Sequence, residues 1–227
     1  MQSNQDFNGI AIAIISFTDS DTKNKQGKQN EQSESVSTLS LAQVTSSLEQ
    51  LWRQIDMNKS SKQVTQIPKL LQSLIALVNF RLGTHLNEQT DLLRLKVRRQ
   101  SRLCLYWIQY IGGEQVQSEI VNNEYGRVMS LQFSTAGGIG NEKDEEIYTG
   151  LIYIYNFLER LRYGRNYPQP SFQPLPLLAR ITEEHMKEEG AIEEIEAQIN
   201  NNGYNGRILY WATRAKSATL NRFIHRR

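Results

Sequence analysis

Leu41, Val44, Leu48, Leu51, Trp52 and Ile55 fall three and four residues apart along residues 39–55. That spacing fits an amphipathic helix, whose 3.6-residue turn gathers such positions on one side. It also demands a second apolar surface to cover that side. Ser37 or Thr38 is placed to cap the start. Residues 68–82 supply the cover. Leu70, Leu71, Leu74, Ile75, Leu77 and Val78 make this second helix apolar on most sides, with Pro68 suited to its first turn and Gly83 to its stop. It is expected to be the central core helix.

A third helix is predicted over 88–111. Asn87 is its N-cap, Glu88 and Asp91 sit in the first turn where the helix dipole favours anions, and Gly112-Gly113 ends it. Stepping 100° per residue puts Leu92, Leu93, Leu103, Cys104, Trp107 and Ile111 on one face. Arg94, Arg98 and Arg102 then stand in a straight row on the opposite side, with Lys96 and Arg99 flanking.

The rest of the chain reads as follows. Residues 10–17 alternate Ile with Ala and read as a short strand with both faces apolar. Residues 18–37 hold one apolar residue, Val36, and read as a disordered linker, because so polar a segment buries too little surface to offset its ordering entropy. Residues 114–121 fit a short helix and 127–133 a strand. Residues 134–141 read as a loop, and a helix runs from about 141 to Gly164. Residues 165–176 hold four of the five prolines and must be extended. An acidic helix over 176–199 follows, which Gly190 weakens in the middle. Residues 205–227 contain Arg207, Arg214, Lys216, Arg222, Arg226 and Arg227 and no acid, and Ile208, Trp211, Ala215, Ala218 and Phe223 suggest an amphipathic helix.

The fold class is therefore mainly α: a helical bundle core with one or two short strands, a disordered N-terminal arm and an extended Pro-rich segment leading to C-terminal helices. The expected divisions are an arm at 1–36, a core at 37–164, and a connector with charged helices at 165–227.

Several function classes are excluded or disfavoured by the residues themselves. No run of 18 apolar residues exists, so no membrane span is expected. The start lacks the positive residues of a secretory signal, which suggests an intracellular, cytoplasmic protein. One cysteine, Cys104, rules out an internal disulfide or a multi-cysteine zinc site. His85, His185 and His225 lie far apart, and His185 beside Glu184 and Glu188 reads as a residue on a solvated charged face. Gly137-Gly138-Ile139-Gly140 lacks the ending of a phosphate-binding loop, and the acids after it would repel an anion. No catalytic residue and no cofactor is expected.

The basic features remain. Net charge is only +2, so the distribution of charge matters more than its sum. Arginines one helical turn apart present guanidinium forks along roughly 12 Å, which suits the phosphates of one nucleic-acid strand. The candidate nucleic-acid-binding residues are Arg94, Lys96, Arg98, Arg99 and Arg102, with Arg214, Lys216 and Arg222 of the C-terminal segment. The opposing reading is that the row pairs with the acidic helix at 183–196. A tethered strand at 10–17 and complementary charged C-terminal helices would also let copies of the chain assemble. This plan of arm, helical core and extended C-terminal part resembles that of filamentous virus coat proteins and viral nucleoproteins. No motif accompanies the likeness and no residue role is carried over. It implies a self-assembling, RNA-favouring structural protein, resident in a virion in that case. The alternative is a helical adaptor or scaffold subunit of a cellular complex.

Overall fold

The computed structural model describes residues 2–26, 38–58, 60–81, 86–134, 141–167 and 170–220. These form eleven α-helices, one 3-10 turn and no strand. The chain divides into two units, 1–112 and 113–227. The boundary thus falls at Gly112-Gly113, where the sequence reading placed only a helix stop, and not after residue 36 or residue 164. The reason lies in the first 26 residues, which pack into the first unit as a helix.

The first unit contains α1 (Gln2–Gln26), α2 (Thr38–Asn58), α3 (Ser61–Thr65), α4 (Leu70–Val78) and α5 (Glu88–Ile111). The strand expected at 10–17 is part of α1. Burial shows which period won: Phe7, Ala11 and Ile14 are buried whereas Ile12 is 64% exposed. In a strand, Ile12 and Ile14 would share a face. Branched Ile is a modest helix former, so packing against α2 and α4 decides the outcome. The polar stretch after it continues the helix to Gln26. Thr18, Ser20 and Thr22 donate to the carbonyls of Ile14, Ser16 and Thr18 at 2.7–2.9 Å. Asp21 is buried against Arg81, 2.8 Å away, and Phe17 packs on Phe80 with centroids 5.4 Å apart. The linker expectation is overturned for 18–26; its remainder, 27–37, lies outside the described residues.

Helix α2 buries Leu41, Val44, Leu48, Leu51 and Ile55, the face its periodicity indicates. It packs chiefly on α5, which α4 and α3 also cover. Asn87 caps α5, its side chain accepting from the Thr90 amide at 2.9 Å.

The second unit contains α6 (Glu114–Asn122), α7 (Tyr125–Ser134), α8 (Asn141–Tyr163), α9 (Pro176–Glu188), α10 (Ala191–Ala197), the turn Gln198–Asn200 and α11 (Arg207–Leu220). The strand expected at 127–133 is the body of α7. Its buried residues are Tyr125, Val128 and Met129, spaced for a helix that lies against α8 and α9. Helix α8 runs through the centre, burying Leu151, Ile154, Phe157, Leu158 and Leu161. Gly164 stops it with φ at 75°, and a Cβ there would stand 2.6 Å from the Phe172 carbonyl oxygen. The Pro-rich segment then folds back through an isolated bridge between Arg165 and Phe172. The acidic helix is two helices, α9 and α10, broken at Gly190, where φ is 71°. Helix α11 packs its Ile208, Ala212, Ala215 and Ala218 against α8 and α10. Three alanines on that face allow close approach of the helix axes. No helix among the described residues is long and apolar enough to cross a membrane.

Candidate nucleic-acid interface

The expected interface on α5 is not an open edge. Arg94 is 1% exposed and Arg102 9% exposed. Arg98 is half-buried and donates to the Phe80 carbonyl oxygen at 3.2 Å. Arg94 lies 3.7 Å from the Asp91 carboxylate. Arg99 is half-buried, and Lys96 alone of the five is exposed. The row is a structural part of the first unit.

The helical face itself was misjudged. The buried side of α5 carries Thr90, Arg94, Val97, Ser101, Cys104, Leu105, Ile108 and Ile111. This is about 100°, one residue's step, from the centre of the expected face, which shares only Cys104 and Ile111 with it. Leu92 is 56% exposed. The signal lay in small residues. Ser101 donates to the Leu74 carbonyl at 2.6 Å, and the Cys104 thiol to the Leu48 carbonyl at 3.2 Å. A small side chain that returns its polar hydrogen to a neighbouring backbone lets α4 and α2 come close, whereas leucine there would hold them away. Burial pushes the Cys104 thiol pKa far above its ordinary value, so it is an inert packing group.

The acidic stretch of α9 and α10 is met within its own unit. Arg162 bonds Glu183, and Arg180 lies 3.0 Å from Glu184. Arg127 bonds Glu188 and stands 2.9 Å from Glu189 and 3.5 Å from Glu124. The hydrogen bond to Glu189 is the main cause that raises the Arg127 pKa. Lys216 reaches Glu196 at 2.9 Å. Lys216, a candidate phosphate ligand by sequence, is therefore engaged between α11 and α10, as a helical hairpin would have it. Among the described residues no group of three or more His, Cys, Asp or Glu could hold a metal ion. His85, His225 and the glycine loop at 137–140 lie outside the described residues.

Among the described residues, α11 presents an exposed basic surface. Arg207, Tyr210 and Arg214 stand at i, i+3 and i+7 and share an exposed face that borders the buried one. The Arg214 guanidinium lies 4.7 Å from the Tyr155 ring centroid, 5.5 Å from that of Tyr210 and 5.8 Å from that of Trp211. It donates to the Tyr155 hydroxyl at 2.6 Å and the Tyr210 hydroxyl at 2.8 Å. Those bonds, that to Tyr155 first, raise its pKa above the ordinary arginine value. Trp211 meets both Tyr155 and Tyr210 edge to face, so the three rings and the guanidinium form one cluster. A second node stands one end away, where Arg207 covers Tyr204 at 5.6 Å and Tyr204 packs on Tyr148 at 4.8 Å. Tyr148 and Tyr155 both come from α8, seven residues apart. The Asp144 carboxylate lies against Gly203, toward the Arg207 end.

The sequence reading included Arg214, used Trp211 only as a mark of helical spacing and did not single out Tyr155 or Tyr210. Their signal was the alternation of Tyr, Trp and Arg at helical spacing within a segment free of acids. Arg222 lies outside the described residues. No protein-family sequence profile, no curated protein and no solved structure matches the chain.

Proposed function

We propose that the chain is a non-enzymatic binding protein whose α11 face holds the backbone of nucleic acid, single-stranded RNA favoured, without reading its sequence. The observation that supports it is the exposed cluster of Arg207, Tyr210 and Arg214 with Tyr155 and Trp211. Its α11 members lie within residues 205–227, which carry six basic side chains and no carboxylate. Arginine attracts phosphate, and aromatic rings stack unpaired bases of any identity, at about 1–3 kcal/mol per base. Half-exposed rings serve single strands, whose bases are splayed, better than duplexes. The α5 row takes no part in this reading, and assembly by strand addition from residues 10–17 is withdrawn because those residues are helix.

The same surface supports a second reading, a protein-binding adaptor. Tyr, Trp and Arg are the residues enriched at the energetic centres of protein interfaces, and Leu209 beside them is 39% exposed. One experiment separates the two. The full chain is purified at low and high salt and its A260/A280 ratio recorded, then a fluorescent uridine oligonucleotide is titrated by anisotropy across salt concentrations. Affinity that falls steeply with salt supports nucleic acid. A protein-like absorbance ratio with no oligonucleotide binding at low salt favours the adaptor.

A further inference from the structure

Among the described residues, three serines follow an arginine by three positions: Ser101 after Arg98, Ser130 after Arg127, and Ser217 after Arg214. A cation at that spacing is what a basophilic kinase selects, because its peptide groove is lined with carboxylates. By sequence Ser101 is the best of the three, with Arg99 adding a second positive charge. Structure reverses the order. Ser101 is fully buried and donates to the Leu74 carbonyl at 2.6 Å. Ser130 is 1% exposed, its hydroxyl returned to the Gly126 carbonyl at 2.9 Å. Ser217 also returns its hydroxyl to a backbone carbonyl, that of Thr213 at 3.0 Å, but it is exposed, with Lys216 immediately before it. It lies on α11.

We propose that Ser217 is a phosphorylation site that switches off the α11 surface. The regulatory half of this inference rests on the function proposed above. In the transfer, the Ser217 hydroxyl gives its proton to a base of the kinase and its oxygen attacks the γ-phosphorus of ATP. The bond from that phosphorus to the bridging oxygen breaks, and ADP leaves. The product carries nearly two negative charges three residues after Arg214, on the face that Arg207, Tyr210 and Arg214 share. A phosphate there occupies Arg214 from within the chain and so stands in for the phosphate of a bound strand.

The test uses the full chain, a basophilic serine kinase that requires arginine three residues before its target, and ATP. Mass spectrometry of peptides locates the phosphate; oligonucleotide affinity is then measured before and after treatment. The expected result is phosphate on Ser217 and none on Ser101 or Ser130, with affinity for the uridine oligonucleotide lowered about tenfold. The Ser217→Ala variant is expected to bind as the untreated chain does and to be indifferent to kinase. A treated chain without phosphate on Ser217, or labelled on Ser101 instead, overturns the site. Phosphorylated Ser217 with unchanged affinity overturns the switch while leaving the function standing. An untreated chain that fails to bind overturns the function and the switch together, and the labelling result then stands by itself.

Discussion

Two rows of basic residues lie along helices of this protein, and they have opposite fates. Arg94, Arg98 and Arg102 on α5 repeat every fourth residue, and two of the three are buried. Arg207, Tyr210 and Arg214 on α11 look less regular and are all exposed. Spacing alone favours the wrong row. What decides is the remainder of each helix. On α5 the positions beside the arginines are Val97, Ser101, Cys104, Leu105 and Ile108, and three other helices converge on them. The guanidinium groups are carried inside with their neighbours. On α11 Ile208 and three alanines make a complete and narrow packing surface, so the arginines beside it are left to the solvent. A row of charges is a surface feature only when the adjacent side can satisfy the core without it.

The comparison can be broken most directly at Arg94. Replacing it by Ala leaves a cavity and removes the cation facing Asp91; we expect a loss of about 3 kcal/mol in urea unfolding. Oligonucleotide affinity per folded molecule should be unchanged. Strong loss of binding with intact stability would return the row to the function that its spacing first suggested. The counterpart is the pair Arg207→Gln and Arg214→Gln. Their combined effect should be a fall of about two in the slope of log affinity against log salt, with less than about 0.5 kcal/mol change in stability. Next comes Tyr210→Ala, which removes a half-exposed ring. Affinity is expected to fall by about 1 kcal/mol, equally for uridine and adenosine oligonucleotides. The smallest effect belongs to Lys96, exposed on α5. Lys96→Gln should alter neither stability nor affinity beyond about 0.5 kcal/mol, and a larger change in binding would mean that α5 contributes after all.

Cys104 sharpens the contrast from another side. Its thiol is buried and held protonated by its surroundings. A thiol reagent is therefore expected to react only when the first unit opens, at a rate that rises with urea through the unfolding transition. Rapid reaction in native buffer would show that the wall of α2 and α5 is looser than its packing indicates.

The helical character of the chain was legible wherever apolar residues of γ-branched type kept a three-and-four rhythm, as in α2, α5 and α8. The cap Asn87, the stop at Gly164 and the break at Gly190 were legible for the same reason: each has one local conformation to supply. Residues 10–17 misled because Ile and Ala alternate, a pattern that satisfies a strand and, with Phe7 and Ile14, a helix too. Only the partners α2 and α4 choose between them. Residues 127–133 misled in the same way, since Val128 and Met129 alone do not fix a period. The site was half legible. Arg214 could be picked out by charge, but that Tyr155, from a helix fifty-nine residues earlier, would hold it is a tertiary fact. Burial of Arg94 and Arg102 was likewise invisible, because arginine is rarely enclosed and any reading of sequence places it outside.

The ion pair between Asp21 and Arg81 carries one more consequence. Both side chains are under 10% exposed, and they join the first helix to the turn beyond the fourth. Withdrawing the first helix would remove this pair together with the packing of Phe7, Ala11, Ile14 and Phe17. What the composition presents as a dispensable leader is thus a keystone. A shortened chain that begins at residue 38 would report on a damaged first unit and say little about the intact protein.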